Sequence, residues 1–144
     1  MKIRSLFATM AITAAATSAG VLAWGTPASA DPDGKCSGGW VCLYENEDFN
    51  RDKGVSGDHW RNFKESKSNF SDFNWRDHGG NDSGDGMNDE TSSIRNRTGK
   101  TIILYQKSGW SGTPDAFLPG SEWDDGKLSN DPIGDNEASS IYVP

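Results

Sequence analysis

Beyond residue 30, the apolar residues fall in short runs. Trp40-Val41-Cys42-Leu43-Tyr44 and Thr101-Ile102-Ile103-Leu104-Tyr105 are the most apolar, and shorter runs cover Ser92 to Asn96 and Ser139 to Val143. Clusters of Gly, Asn, Asp and Ser separate them. No long stretch carries apolar residues at three- and four-residue spacing without an interrupting Gly or Pro, so the pattern does not predict helices. Short runs with frequent turn signals predict an all-β sandwich or barrel.

One polar phrase occurs twice. Asn88-Asp89-Glu90-Thr91-Ser92-Ser93 leads into Ile94, and Asp135-Asn136-Glu137-Ala138-Ser139-Ser140 leads into Ile141. Side-chain oxygens, a turn, and then hydroxyls entering an apolar strand suit a hard cation, because oxygen-only sites favour Ca²⁺ over transition metals. The same residues also make good turns, since Asn, Asp and Ser side chains bond to nearby backbone N–H groups. Each phrase follows an aromatic strand: Tyr44 to Arg51 aligns with Tyr105 to Gly112. The repeat is therefore a whole structural unit. More chain separates Tyr44 from Asn88 than Tyr105 from Asp135, so the first unit carries extra residues between Gly54 and Met87. The Gly-rich polar stretch Arg76 to Gly86 is the expected place, and it reads as an exposed loop. An EF-hand alignment of that stretch fails, because Ser92 would fall where a bidentate Glu is needed. Just before it, Phe70, Phe73 and Trp75 read first as packing residues and second as an aromatic contact patch.

The N-terminus has the pattern of a secretory signal. Lys2 and Arg4 precede an alanine-rich apolar stretch from about Leu6 to Trp24, and Ala28-Ser29-Ala30 is a small-residue cleavage site. The expected organisation is a cleaved signal peptide over 1–30 and one domain over 31–144, secreted and free of the membrane after cleavage. The net charge of −7 disfavours nucleic acid. Cys36 and Cys42 are the only cysteines, and an even count in an exported chain argues for a disulfide between them. A zinc-thiolate site fits poorly, since only His59 and His78 could complete it.

The pattern Tyr-x4-aromatic-x-Gly followed by (Asn/Asp)-(Asn/Asp)-x-x-(Ser/Thr)-Ser resembles the βγ-crystallin Greek-key motif, and both repeats carry it. Cys36 with Trp40-Val41-Cys42-Leu43-Tyr44, and Asn69-Phe70-Ser71-Asp72-Phe73, resemble more specifically a family of secreted bacterial peptidase inhibitors with a crystallin-like fold. That family is named for a metalloproteinase inhibitor. The resemblance implies a βγ-crystallin-like sandwich of two Greek-key motifs. One position departs from it: Arg51 stands where the first repeat should have Gly, so either the first hairpin has another shape or Gly54 serves instead.

The resemblance also implies a ligand set for two paired Ca²⁺ sites that stabilise the fold. The second position of each phrase supplies a side-chain oxygen, the third a backbone carbonyl and the fifth a hydroxyl. These are Asp89, Glu90 and Ser92 in one phrase and Asn136, Glu137 and Ser139 in the other. Glu45 and Gln106, directly after the strand tyrosines, are the expected further carbonyl donors. Asp89 brings a charge and Asn136 a dipole, so the sites should be unequal, with Asp135 and Glu137 as outer charge near the weaker one.

The second reading is an inhibitor of an extracellular protease, a metalloproteinase by the family resemblance. It needs a rigid exposed loop. The candidate segments are Asp115 to Leu118 and Asn69 to Trp75, with Phe117, Leu118 and Trp75 as contacts. A third reading, polysaccharide binding through Trp60, Trp75, Trp110 and Trp123, rests on composition alone. Catalysis is not expected: there is no His-Glu-x-x-His or Gly-x-Ser-x-Gly, and His59 and His78 lie in polar contexts that suggest solvation. The protein is expected to be a monomer.

Overall fold

The computed structural model describes residues 36–51 and 57–144. The expected signal segment 1–30 and Gly54 lie outside the described residues. Strands run β1 Val41–Tyr44, β2 Trp60–Phe63, β3 Asn74–Arg76, β4 Asp82–Gly86, β5 Ser93–Asn96, β6 Ile102–Lys107, β7 Ser111–Phe117 and β8 Ser140–Tyr142. Among the described residues there is no α-helix, only short 3₁₀ turns. All strand pairs are antiparallel, in a five-stranded sheet ordered β4-β3-β2-β1-β5 and a three-stranded sheet ordered β7-β6-β8.

The two sheets are locked by a reciprocal exchange. Lys67 lies in the chain of the first repeat but bridges Ile141 of β8, with both N–H groups donating across at 2.9 Å. Asp125 of the second repeat bridges Ile94 of β5, at 2.8 and 3.1 Å. Each repeat thus lends one segment to the other's sheet, which makes the fold two interlocked Greek keys.

The period of two explains the core. On β1, Val41 and Leu43 point into the space between the sheets, where they meet Phe63, Phe70, Trp75, Met87, Ile94, Ile102, Leu104, Phe117, Leu128, Ile133, Ala138 and Ile141. Cys42 and Tyr44 point the other way, yet they are buried too, under Phe49 and Trp60 and beside Cys36 and Trp40. With both faces of β1 covered, it reads as continuously apolar rather than alternating. Arg95, opposite Cys42, roofs this outer cluster: its guanidinium lies 3.9 Å from the Phe49 ring centroid, and Nε lies 3.2 Å from Asp124 Oδ2. The Cys36–Cys42 disulfide closes its edge, with Cα atoms 6.0 Å apart.

The stretch Arg76 to Gly86, expected as a loop, forms a β-hairpin instead. β3 and β4 enclose a turn over 77–81 and extend the larger sheet beyond β2. Asp-Ser-Gly-Asp-Gly has poor strand propensity and no apolar face, which is why the pattern does not announce it. Side-chain bonds hold it instead. Asp77 Oδ1 accepts from the Asn81 N–H at 2.8 Å, Ser83 Oγ donates to the Trp75 carbonyl at 3.0 Å, and Asp82 Oδ1 accepts from the Asn74 amide at 3.0 Å and the Gly84 N–H at 2.8 Å.

Arg51 is explained by a shift of the left-handed residues. In the second repeat Gly109, Trp110 and Gly112 have φ of 71°, 55° and 80°. In the first, Asp48, Phe49 and Asn50 have φ of 53°, 60° and 63°, and Arg51 is right-handed at −58°. The final left-handed position moves one residue earlier, onto Asn50, a type that tolerates it. Asn50 is 4% exposed and its amide is used on both sides: Oδ1 accepts from the Asn46 N–H at 3.1 Å, and Nδ2 donates to the His59 carbonyl at 2.6 Å.

Candidate functional site

The two acidic phrases lie side by side and cross over. Asp89 and Asn136 both turn the chain in the left-handed region, at φ of 57° and 56°. The Asp89 N–H donates to the Ala138 carbonyl and the Asn136 N–H to the Thr91 carbonyl, each at 3.1 Å. Further along, the Ser92 N–H bonds the Tyr44 carbonyl and the Ser139 N–H the Tyr105 carbonyl, each at 2.9 Å. The side chains follow this pseudo-twofold. Ser139 Oγ lies 2.6 Å from Asp89 Oδ1, and Ser92 Oγ lies 3.2 Å from Asn136 Oδ1. The second serine of each phrase anchors the folded hairpin of its own repeat. Ser93 Oγ donates to the Asn46 carbonyl and accepts from the Phe49 N–H; Ser140 Oγ donates to the Lys107 carbonyl and accepts from the Trp110 N–H.

Two cavities result. One, about 680 Å³, is lined by Glu45, Glu90, Ser92 and Asn136 together with Asn46, Glu47, Asp48, Asp89 and Asp135. The other, about 350 Å³, is lined by Asp89, Gln106 and Ser139, with Asn69, Ser71, Asn88, Lys107 and Ser108. Asp89 borders both, and Glu137 lines neither. In the smaller cavity the Ser139 hydroxyl faces two acceptors, Asp89 Oδ1 and the Gln106 carbonyl at 2.9 Å, with one proton to share. Three oxygens converging on one proton form a donor set that suits a hard cation. The larger cavity has the neutral Asn136 but is lined by six acidic residues, of which Glu47, Asp48 and Asp135 add negative charge from outside the expected ligand set.

Next to the larger cavity lies a cluster that sequence reasoning missed. His59 is not solvated: its side chain is 16% exposed, with Nδ1 2.7 Å from Glu45 Oε2 and 3.7 Å from Asp85 Oδ2. Burial pushes the Glu45 carboxyl above the usual carboxylate range; nearby His59 opposes the shift, and Asp85 and Glu90 add to it. His78 is likewise engaged, 2.8 Å from the Asp58 carboxylate. The only sequence signal was register: Glu45 continues β1 and His59 precedes β2, with the Glu45 N–H bonded to the His59 carbonyl at 3.2 Å.

The expected protease contacts divide. Trp75 is fully buried, with Nε1 donating to Glu90 Oε2 at 2.9 Å, and Phe117 is 6% exposed in the core. Neither can reach a partner, because both side chains fill space between the sheets. Trp60 is buried as well, so of the four tryptophans only Trp110 and Trp123 face solvent. Leu118 differs: it is 43% exposed on a chain held from both sides by one residue. Asn96, 2% exposed, donates from Nδ2 to the Phe117 carbonyl at 2.9 Å and to the Lys100 carbonyl at 2.7 Å, and its own carbonyl accepts the Gly120 N–H at 3.1 Å. Pro119 fixes the backbone between, and Gly120 at φ of 118° takes a turn that other residues resist.

Solved structures agree with this architecture. A βγ-crystallin from Ciona intestinalis matches with a TM-score of 0.51 at 24% identity, covering 72% of this chain and 98% of its own. A βγ-crystallin from an archaeon matches with a TM-score of 0.50 at 21% identity, covering 74% of this chain and 98% of its own. At such identities the likeness is one of fold. No curated protein sequence matches the chain. The sequence profile of peptidase inhibitor family I36 matches residues 29–117, well over half of the chain. The chain is a member of peptidase inhibitor family I36, built on a βγ-crystallin-like sandwich.

Proposed function

We propose that this protein is a secreted peptidase inhibitor that presents Leu118 to an extracellular protease. The observation that carries the reading is the brace around Leu118. An inhibitory loop must enter a cleft with little entropy left to lose. Here a bulky apolar side chain projects from a segment whose flanking Phe117 carbonyl and Gly120 N–H are both tied to Asn96. Inhibitory loops of the resembling family are commonly braced by a disulfide, whereas this chain's Cys36–Cys42 bridge lies at β1. The buried asparagine supplies the rigidity instead. Membership of the inhibitor family and the disulfide, which suits an oxidising compartment, support the same reading.

A thermolysin-type metalloproteinase, which favours a bulky apolar residue after the scissile bond, is the target class to test first. The assay is titration of such an enzyme, with a subtilisin-type serine protease in parallel. Stoichiometric inhibition that Leu118→Asp weakens by roughly 30-fold or more supports the reading. Full protease activity in the presence of excess intact protein would sink it.

A second reading rests on a separate observation, the crossed pairs Ser139–Asp89 and Ser92–Asn136 at the mouths of two oxygen-lined cavities. It is that Ca²⁺ occupies these cavities and adds stability. Asp89, Ser139 and the Gln106 carbonyl would hold one ion. Asn136, Ser92 and the carbonyls of Glu45 and Glu90 would hold the other. The Glu137 carbonyl, the counterpart of the Glu90 carbonyl in the second phrase, is the expected further donor to the first ion. The two readings are compatible, since a calcium-stabilised sandwich can carry an inhibitory loop.

A further inference from the structure

We infer that Glu45, His59 and Asp85 form a transition-metal site, with Zn²⁺ as the ion of choice. One ligand atom from each lies within 4.8 Å of the others. The set contains an imidazole nitrogen, which Ca²⁺ does not use and Zn²⁺ does. His59 Nδ1 is shielded from solvent, 2.7 Å from Glu45 Oε2 and 3.7 Å from Asp85 Oδ2. A shielded ring nitrogen flanked by two carboxylates can give up its proton and offer its lone pair to a cation that all three groups share.

The backbone holds two ligands ready. The His59 carbonyl accepts both the Glu45 N–H at 3.2 Å and Asn50 Nδ2 at 2.6 Å, which fixes the residue from two sides. The third ligand comes from β4, in the hairpin that only the first repeat carries. Its Asp85 side chain is 48% exposed, so it can close on an ion, and water can fill the remaining positions. Two carboxylates face one imidazole and Glu90 adds negative charge at Glu45, so a divalent cation balances the excess. The second repeat has no such hairpin, so the site belongs to one half of the pseudo-twofold alone. Its consequence is a clamp: an ion would tie the edge hairpin to the junction of β1 and β2.

The test is calorimetric titration of Zn²⁺ into EDTA-stripped protein with Ca²⁺ in excess, so that the crossed-phrase cavities do not contribute. One saturable event is expected. His59→Gln should weaken it by about tenfold or more while leaving the Ca²⁺ titration unchanged. Substituting Co²⁺ should give a visible absorption band that the same variant loses. Asp85 lies exposed on an edge strand, so Asp85→Asn keeps the fold and carries the test if His59→Gln fails to fold. Absence of saturable Zn²⁺ binding, or an affinity unchanged in Asp85→Asn or in a cooperatively folded His59→Gln, overturns the inference.

Discussion

Ser139 Oγ lies 2.6 Å from Asp89 Oδ1, although fifty residues separate them. The reason is the exchange of segments between Greek keys, which sets the two phrases antiparallel and brings the hydroxyl of one against the carboxylate of the other. A cation there would be held by both halves of the fold at once. Its binding energy would then oppose separation of the repeats and add to global stability.

Calcium should accordingly raise the melting temperature, and EDTA should reverse the rise. At a free concentration about 100 times the dissociation constant, one site adds about 2.7 kcal/mol, a shift of roughly 10 °C for a domain of this size. Ser139→Ala should remove one of two binding events and Ser92→Ala the other, read by calorimetry. Two events persisting in both variants would show that the crossed pairs are only turn-formers.

The shift of the left-handed position onto Asn50 makes a second prediction. Asn50→Ala loses the bonds to Asn46 and His59 and leaves at φ of 63° a residue that tolerates the left-handed region less well than Asn. It should cost about 2–3 kcal/mol in urea unfolding. Arg51→Gly, which restores the Gly of the crystallin pattern, should gain nothing, because Arg51 already sits at a right-handed −58°. A stabilising Arg51→Gly would mean that the first hairpin adopts the geometry of the second.

Around Leu118, surface and support should separate. Leu118→Asp should weaken inhibition by roughly 30-fold or more, the scale of a lost anchor residue, with stability unchanged. Asn96→Ala should cost about 3 kcal/mol in stability, since it strands two carbonyls, and should weaken inhibition through loss of rigidity. Trp75→Phe should leave inhibition intact while lowering stability, because the Trp75 side chain is buried in the core and bonded to Glu90. Loss of inhibition in Trp75→Phe with a native melt would return that residue to the contact surface.

What the sequence made legible follows the range of the interactions. Apolar runs and the duplicated phrase are local patterns, and they correspond to β1, β5, β6 and β8 and to the cavities. Register effects across chain breaks were not legible. Nothing local says that Glu45 meets His59, or that the Asp-Ser-Gly-Asp-Gly strand would pair with β3, since its stability lies in side-chain bonds to Asn74 and Trp75. Trp75 packs as its first reading had it, while its second reading as a contact and the exposed reading of Trp60 fail, because an aromatic beside polar residues looks the same whether it faces out or in. The role of Asn50 has no local signal, because the crystallin pattern places its left-handed Gly one position on, at Arg51.

The last prediction concerns pH. Burial, followed by a hydrogen bond with the Asp125 carboxyl and the charges of Asp125 and Asp115, pushes the Asp131 carboxyl up from 3.8 to about 7. A carboxyl raised in the folded state holds its proton there after the unfolded chain has lost it. Its contribution to stability is therefore complete below about pH 4 and is lost as pH rises through about 7. Between pH 5 and pH 8 the melting temperature should fall by an amount that depends on this residue. Asp131→Asn, which mimics the protonated form, should flatten that fall and raise the melting temperature at pH 8, with little change at pH 5. The check is a set of thermal melts at pH 5, 6, 7 and 8 for both proteins in EDTA, which removes metal from the comparison. Parallel curves for the two would show that Asp131 ionises in the ordinary carboxylate range, and that water reaches the space between Asp115, Asp125 and Asp131.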